Sequence, residues 1–431
     1  MNESSNMRHG IGRIHLKIIF ALLVCTIVLL HSAQAIEPLW VHAITTVANP
    51  KVSISSDGSY VAVASDKITL FNQKGEKLWN EYPASNVMIT GDGSNIIGTN
   101  GEMVFLSTNG TKLWGDEEDM SFTSISITPQ RGFARAGYLV FTTFGAIGFY
   151  NVDDTVGHRE LIWRSTTGDL PLSCAVTDFD SYAVVGSRQK IATYDRHGEE
   201  VWNYSAYGNV NFLFISNPSH ENWNIFAADD NMIISLNKNG EPLWRYKTAG
   251  RINSLAITPT GSYVVAGGQD PLIYILDQTT NTVYSYNTDS TVFSVATDND
   301  GNYIAAGTLS KKILLLDKYG NRLWQYTTGG YVTSVALSSD GQYLAAASSD
   351  GTIFLFNTIP NIPTITSTLP AVTPVTFPTL QTNTNATVPK TKPVWYQPTT
   401  YPIIVPLIII AIPVIFIILT YFYLRSKLQR L

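Results

Sequence analysis

The sequence predicts an all-β fold, an eight-bladed β-propeller closed by its N-terminal strand, on three observations. A block of about forty residues recurs along the chain, each block contains only short strand-like segments, and one aromatic residue marks each block at the same place. No segment between residues 36 and 357 has the three-to-four-residue apolar spacing of a helix. Strand-only repeats of this length form blades around a central axis.

The first two strands of a blade are clearest where four stretches align without gaps. Each has an apolar strand, a turn that ends in glycine, an aromatic residue and a strand of small and β-branched residues. Asp-Gly and similar turns suit hairpins because glycine readily adopts positive φ. A third strand such as "ILLLD" and a fourth such as "GNRLWQY" follow. The aligned stretches are residues 53–65, 256–268, 296–308 and 336–348.

The repeated aromatic residue sets the blade count. Successive marks lie 39, 35, 49, 39, 42, 40 and 40 residues apart, which predicts eight blades. An aromatic side chain at a fixed place in every repeat is typical of packing between neighbouring blades, so we expect a structural role and not a binding face. The marks are Trp40, Trp79, Trp114, Trp163, Trp202, Trp244, Tyr284 and Trp324.

The first residues after an apolar leader repeat part of the middle of the chain. "IEPLWVH", residues 36–42, shares "EPLW" with "GEPLWRY", residues 240–246. The last repeat stops at Asn357, before it reaches a tryptophan strand. An open sheet edge would present unpaired N–H and C=O groups. We therefore expect residues 36–42 to complete the final blade and close the ring, the alternative being a coincidental match.

Apolar segments at both ends predict a membrane-anchored surface protein. Thirteen apolar or small residues follow three basic ones, and "AQA" ends at Ala35 like a signal-peptide cleavage site. An uncleaved anchor is the alternative, although thirteen helical residues span only ~20 Å. Residues 403–424 carry no charge, span ~33 Å as a helix and precede basic residues, which places the C-terminus in the cytoplasm.

The predicted organisation has five parts, with the propeller outside the cell. They are a signal peptide (1–35), the propeller (36–357), a Pro/Thr-rich linker (358–400), a transmembrane helix (401–424) and a cytoplasmic tail (425–431). The linker resembles an extended, O-glycosylated stalk in composition. Asn109, Asn203 and Asn385 begin N-x-[ST] triplets and are possible glycosylation sites.

Composition excludes several classes of function. The net charge is −5 with 14% charged residues, so nucleic acid is not an expected partner. Cys25 lies in the leader, which leaves Cys174 as the one cysteine of the mature chain and excludes an intrachain disulfide. Cys174 stands in an apolar strand, where a buried small side chain is the ordinary role.

The remaining candidates for chemistry have ordinary structural explanations. "TDNDGN", residues 297–302, holds half of a calcium-loop pattern at a regular turn of the repeat, and the acidic run 115–120 suits a solvated loop. The four histidines lack metal-ligand spacing. Three aligned serines argue for packing, since a catalytic residue is needed once. These residues are His42, His158, His197 and His220, and Ser254, Ser294 and Ser334.

The repeats resemble a known family at "LDKYGNRLW", "YDRHGEEVW", "LNKNGEPLW" and "FNQKGEKLW". An Asp or Asn, a turn glycine and then tryptophan are similar to pyrroloquinoline-quinone-like propeller repeats, and "SVALSSDGQYLAAASSDGTIFLF" also resembles WD repeats. The resemblance implies a propeller over residues 36–357. Its relatives include quinone enzymes and protein-binding platforms, and membrane-anchored forms resemble archaeal cell-surface proteins.

We expect a binding or scaffold module for an envelope protein, a glycan or a small ligand. No cofactor-binding set, catalytic constellation or metal site can be assigned from the sequence, so an enzyme is not expected. The alternatives are a quinone- or metal-dependent surface oxidoreductase and a structural cell-wall subunit.

Overall fold

A computed structural model describes residues 36–44, 49–100, 102–116, 122–127, 136–143, 145–153, 158–177, 182–216, 223–358 and 375–376. Every regular element in this part of the chain is a β-strand, and the strands are numbered β1 to β31 in chain order. Each pairs with its sheet neighbours in antiparallel register. The predicted all-β propeller is confirmed.

The first three sheets each hold four strands that follow one another in the chain. The first contains β2 (Lys51–Ile54), β3 (Tyr60–Ala64), β4 (Lys67–Asn72) and β5 (Lys77–Pro83). The second contains β6 (Asn86–Ile89), β7 (Asn95–Asn100), β8 (Glu102–Ser107) and β9 (Lys112–Asp116). The third contains β10 (Phe122–Ile127), β11 (Ala136–Thr143), β12 (Ala146–Asp153) and β13 (His158–Thr166).

The fourth sheet has six strands. They are β14 (Pro171–Val176), β15 (Ala183–Tyr194), β16 (Glu200–Ser216), β17 (Asn224–Asp229), β18 (Met232–Asn237) and β19 (Pro242–Lys247). The fifth contains β20 (Ile252–Ile257), β21 (Tyr263–Gly268), β22 (Leu272–Asp277), β23 (Thr282–Asn287) and β31 (Val375–Thr376).

Two sheets complete the ring. The sixth contains β24 (Val292–Thr297), β25 (Tyr303–Thr308), β26 (Lys312–Asp317) and β27 (Arg322–Thr327). The seventh contains β28 (Val332–Leu337), β29 (Tyr343–Ser348), β30 (Thr352–Asn357) and, as its outer strand, β1 (Trp40–Ala43).

The core lies between neighbouring sheets and covers both faces of the middle strands. In β25, with the sequence "YIAAGT", every residue after the tyrosine is buried. Such a continuous run of small and apolar residues is expected for a strand covered on both faces. At the turn before β29, Gly341 has φ of 70°, which favours glycine, and its amide donates to the Ser338 carbonyl at 2.9 Å.

The predicted count of eight separate blades is wrong, because the described strands form seven sheets. The double sheet arises at β16, which runs unbroken for 17 residues and joins the repeats of Trp202 and Trp244. In four other repeats a threonine follows the fourth strand and its hydroxyl donates to the carbonyl two residues on. The Thr328 hydroxyl, for example, donates to the carbonyls of Lys311 and Gly330 at 3.0 and 2.7 Å. Ala206 stands at this place in β16 and has no hydroxyl to form the turn.

The predicted closure strand is confirmed. β1 pairs with β30 over four residues, from Trp40 opposite Leu355 to Ala43 opposite Thr352. Further backbone bonds join the Leu39 amide to the Leu355 carbonyl at 2.7 Å and the Ile44 amide to the Gly351 carbonyl at 2.9 Å. The N-terminal segment therefore supplies the outer strand that the last repeat lacks.

Some predicted segments fall outside the described residues. They are the signal peptide (1–35), the transmembrane helix (401–424), the tail (425–431) and most of the linker (358–400). Across the residues that the structure does describe, no helix has the length and apolar character needed to cross a membrane. Three linker residues are described: Thr358 is buried against the propeller, and the backbone of Val375 and Thr376 in β31 pairs with β23.

Candidate functional site

Three of the tryptophans hydrogen-bond to the neighbouring repeat. Trp79 Nε1 donates to the Thr108 carbonyl at 2.8 Å, and Trp202 Nε1 donates to the Lys238 carbonyl at 2.9 Å, in each case in a turn of the next repeat. Trp40 makes the same bond across the closure, to the Gln73 carbonyl at 3.1 Å. A hydrogen bond to the next repeat and a mostly buried ring indicate structural contacts.

A turn glycine of the next repeat lies against these rings. A Cβ added at Gly75 would come within 2.7 Å of Trp40, and one added at Gly240 within 2.6 Å of Trp202. Tyr284 occupies the same place and packs edge-to-face on Tyr319 at 5.6 Å between centroids. The repeated aromatic side chains thus make similar local contacts around the propeller, and these contacts do not bring them together in one site. Trp114 and Trp163 stack on Phe105 and Phe149 of their own sheets. Trp244 lies tilted against Phe226 of its own sheet, and Trp324 lies tilted against Phe356 of the next sheet.

The aligned serines link inner strands of successive sheets. Val295, Val335 and Val52 donate their backbone amides to the hydroxyls of Ser254, Ser294 and Ser334 at 3.0, 3.1 and 3.2 Å. The last bond closes the ring between β28 and β2. Ser53 and Ser124, which the sequence analysis missed, likewise accept the amides of Ile89 and Cys174, and the Ser173 hydroxyl donates to the Val210 carbonyl at 2.7 Å. The sequence did contain a signal for these three serines, because each lies on the first strand of its repeat, as the aligned serines do.

Other candidate residues have no partners for catalysis in the described part of the chain. No three His, Cys, Asp or Glu side chains there could share a metal ion. In the D-x-D-G segment Asp298 accepts the Tyr303 amide at 3.0 Å as an ordinary turn residue, and burial raises the pKa of its carboxyl. The acidic run 115–120 lies largely outside the described residues.

The histidines lie apart. His42 is on the closure strand, with Nε2 2.6 Å from the Gly75 carbonyl oxygen, and stacks on Phe71. His197 lies in a turn, where its Nε2 accepts from Arg196. The side chain of His158 and all of His220 lie outside the described part.

Two of the three candidate glycosylation sites are described, and both are exposed. Asn109 is in a turn, where its Oδ1 accepts the Thr111 amide at 2.9 Å. Asn203 is on β16 and donates from Nδ2 to Glu200 Oε1 at 2.6 Å. Asn385 lies outside the described residues.

Cys174 is buried on β14, where burial raises the pKa of its thiol to about 12. Its Sγ lies 3.5 Å from the Val140 carbonyl oxygen, to which the thiol donates. Because the thiolate is the nucleophilic form, a thiol with this pKa is unreactive near neutral pH.

A cavity of about 320 Å³ lies among four inner strands and includes Cys174 in its wall. Met88 of β6 and residues 124–127, 173–176 and 211–215 line it. None of these residues carries a charge at neutral pH, and several of the serine hydroxyls are already engaged in the bonds between strands. Neutral walls of this kind suit an uncharged ligand, because they offer nothing to compensate a buried charge.

The two faces of the ring differ in what they carry. We name the end at which β1 begins and β30 ends the tether face, and the opposite end the far face. Thr358 confirms the first assignment, since its amide donates to the Gln342 carbonyl at 2.9 Å in a turn of that face. The far face holds the turns between second and third strands and the connections between sheets.

The far face carries exposed aromatic and aliphatic groups. Tyr207 is 52% and Leu309 48% exposed. The Arg245 guanidinium lies 5.6 Å from the ring centre of Tyr207 and 5.5 Å from that of Tyr204, a cation–π arrangement that fixes both rings. Beneath them Asp229 Oδ2 accepts the Tyr207 amide at 2.7 Å, and burial raises the pKa of Asp229 to about 6.

Comparison with known proteins shows the fold. Residues 214–351 match a model described as "Family of unknown function (DUF5711)". The comparison with curated proteins gives no significant match. The Saccharomyces cerevisiae Sqt1 structure is 12% identical with a TM-score of 0.61, covering 75% of this chain and 100% of that one. The C-terminal WD40 domain of Sif2 is 12% identical with a TM-score of 0.62, covering 75% and 99%.

The chain has a WD40-like β-propeller fold. Because 1723 solved chains match this structure significantly, the fold by itself does not identify a ligand. It is consistent with a scaffold that binds through its loops and faces.

Proposed function

We propose that the chain is a membrane-anchored cell-surface binding module with a pyrroloquinoline-quinone-like repeat sequence, of archaeal type. The basic-apolar leader (1–35), the Pro/Thr-rich segment (358–400) and the uncharged stretch (401–424) with its basic tail (425–431) support secretion of the propeller and its retention at the cell membrane. The partner is an extracellular protein, and glycans or small ligands are the less favoured ligands.

The position of the two ends of the propeller carries this proposal. Trp40, the first residue of β1, and Asn357, the last residue of β30, lie at one end of the same sheet. A tether attached to Thr358 therefore leaves from the tether face and keeps the far face free for a partner. Exposed loops on a rigid scaffold are where binding residues usually lie.

The chemistry of the far face favours a protein partner. Tyrosine and arginine are enriched at the centres of protein interfaces, because a fixed aromatic ring loses little entropy on binding. Tyr207 is half exposed and held by Arg245, whose Nη1 donates to the tyrosine hydroxyl at 3.3 Å. Tyr331 is fixed in a similar way, because its hydroxyl donates to Asn49 at 2.7 Å and its ring contacts Phe293.

We propose binding without catalysis. A quinone- or metal-dependent oxidoreductase is the second candidate, and a quinone absorbance or stoichiometric metal in the purified full chain would favour it. A structural cell-wall subunit is the third, for which ordered self-assembly would be the signature.

The test is capture of envelope proteins by the full chain in lipid nanodiscs, followed by mass spectrometry. Tyr207→Ala should lower capture of the specific partner by at least tenfold. The matched control is Tyr319→Ala on the tether face, where the tyrosine is 49% exposed and should be dispensable. Equal loss in both variants, or in neither, would contradict the proposal.

A further inference from the structure

Two junctions between inner strands of the described residues lack the serine hydrogen bond, and they differ in how the space is filled. Within the described residues, six junctions carry a serine hydrogen bond from one inner strand to the next, and no hydrogen bond joins β6 to β10. At the junction of β16 and β20, which also lacks the serine, Phe212 and Phe214 pack into the core beside Ile252 and Leu255. At β6 and β10 a cavity of about 160 Å³ remains.

The side chains explain the gap. At three other junctions a glycine receives a valine of the next inner strand: a Cβ at Gly186, Gly267 or Gly307 would lie 2.5, 2.4 or 2.5 Å from Cγ1 of Val210, Val292 or Val332. In β7 the residue that corresponds to these glycines is Thr99, which lies opposite Met103 of β8. The next inner strand, β10, begins with the bulky Phe122. These two side chains are too large to close the junction as valine closes on glycine.

Burial of the inner strands agrees with an open junction. Val292 and Val295 of β24 are fully or almost fully buried, as are the matching residues of β20 and β28. All six residues of β10 are only half-buried, including Phe122 and Ile125 in the positions of those valines. Two side chains that would normally fill a junction are therefore accessible from the cavity.

We propose that the cavity between β6 and β10, which we name the side slot, is a binding pocket for one neutral phenol-like ring, such as a tyrosine side chain of a partner polypeptide. An apolar cavity of about 150 Å³ accommodates one benzene ring. Val87, Met88, Ile97, Phe122 and Ile125 provide apolar walls. This inference does not depend on the far-face partner or on the surface location proposed above.

The polar groups of the slot select a ring with one hydroxyl. Asn86 and Thr99 line the same cavity, and Asn86 is exposed at its edge. A buried ring without a polar group would leave those side chains without a ligand partner, whereas a phenol can donate to one of them. The lining holds no charged residue, so a carboxylate or ammonium on the ring would lose hydration without compensation. The slot shares Met88, Ser124 and Ile125 with the cavity of about 320 Å³ that has Cys174 in its wall.

The test is a titration of the full chain, in lipid nanodiscs and with ¹³C-methyl methionine, with p-cresol. The Met88 methyl signal, assigned from Met88→Leu, should shift and saturate, and the signal of the fully buried Met103 should not move. Toluene should bind several-fold more weakly and p-hydroxybenzoate should not bind. N-acetyl-tyrosinamide should also bind if a peptide can reach the slot, and its failure beside a p-cresol response would restrict the ligand to free phenols.

Two variants separate the slot from other sites. Val87→Phe fills the slot and should weaken p-cresol binding at least tenfold, and Thr99→Ile gives a smaller filling change if the first variant unfolds. Val41→Phe adds the same ring on the exposed outer face of β1 and should leave binding unchanged. An absent or unsaturable Met88 shift, or an undiminished shift in both filling variants, would overturn the inference.

Discussion

Trp40→Ala should destabilise the propeller strongly, because the residue belongs to both the closure strand and a contact between sheets. Trp40 is 9% exposed, lies 5.3 Å from the Phe71 ring and donates to the Gln73 carbonyl. Burial of ~150–250 Å² at ~25 cal/mol per Å² contributes ~4–6 kcal/mol, and tryptophan truncation in protein cores costs ~3–5 kcal/mol. At ~2 °C per kcal/mol for a large domain, the Tm should fall by ~6–10 °C.

The assay is thermal unfolding of the full chain followed by circular dichroism in the strand region. Leu39→Ala is the control, because Leu39 precedes Trp40 on the same segment but is 52% exposed, and its Tm should change by no more than ~1 °C. A Trp40→Ala protein that melts with the wild type would refute the assignment of this strand to ring closure. Equal losses in the two variants would mean that the whole segment, and not the buried ring, carries the effect.

Three further changes follow from the structure. Ser294→Ala should lower the free energy of unfolding by ~1–3 kcal/mol in chemical denaturation, because the Val335 amide loses its partner. Asp229 has a pKa raised by burial to about 6 from the usual 3.8, so it stabilises the fold fully below pH 3.8 and loses that contribution as pH rises through 6. The Tm of wild type relative to Asp229→Asn should therefore fall between pH 4 and 7. The thiol of Cys174 should resist iodoacetamide at pH 8 until the protein unfolds.

Each of these has an opposing result. Unchanged stability of Ser294→Ala would show that solvent replaces the hydroxyl. A constant Tm difference between wild type and Asp229→Asn across the pH range would contradict the raised pKa, and a difference that grows with pH would reverse its sign. Rapid alkylation of folded protein at Cys174 would contradict the burial of β14.

The sequence predicted the parts of the fold that depend on local pattern. The spacing of the tryptophans, the Asp-Gly turns and "EPLW" predicted the repeat, the hairpins and the closure strand, because each is encoded within a few residues. The alignment of Ser254, Ser294 and Ser334 predicted packing correctly, although their hydrogen-bond partners lie about forty residues further on.

Features that depend on distant residues were missed. The blade count failed at β16, which continues past Ala206 at the position where four other repeats have a turn-forming threonine. The side slot depends on Thr99 meeting Phe122 across two sheets, and the cation–π group depends on Arg245 reaching back to Tyr204 and Tyr207. Such pairs become visible only when the strand register is known.

The account depends most on the ring being closed by β1, because closure places both ends of the propeller, Trp40 and Asn357, on the tether face. Ala43 and Thr352 are opposite each other in that pairing. The double variant Ala43→Cys/Thr352→Cys should form an intrachain disulfide on mild oxidation and gain on the order of 5 kcal/mol from the long loop it closes. Ala43→Cys/Ser310→Cys, which would join β1 to the turn between β25 and β26 of another sheet, should not. A double variant that stays reduced, or that links only to other molecules, would contradict closure by the N-terminal strand.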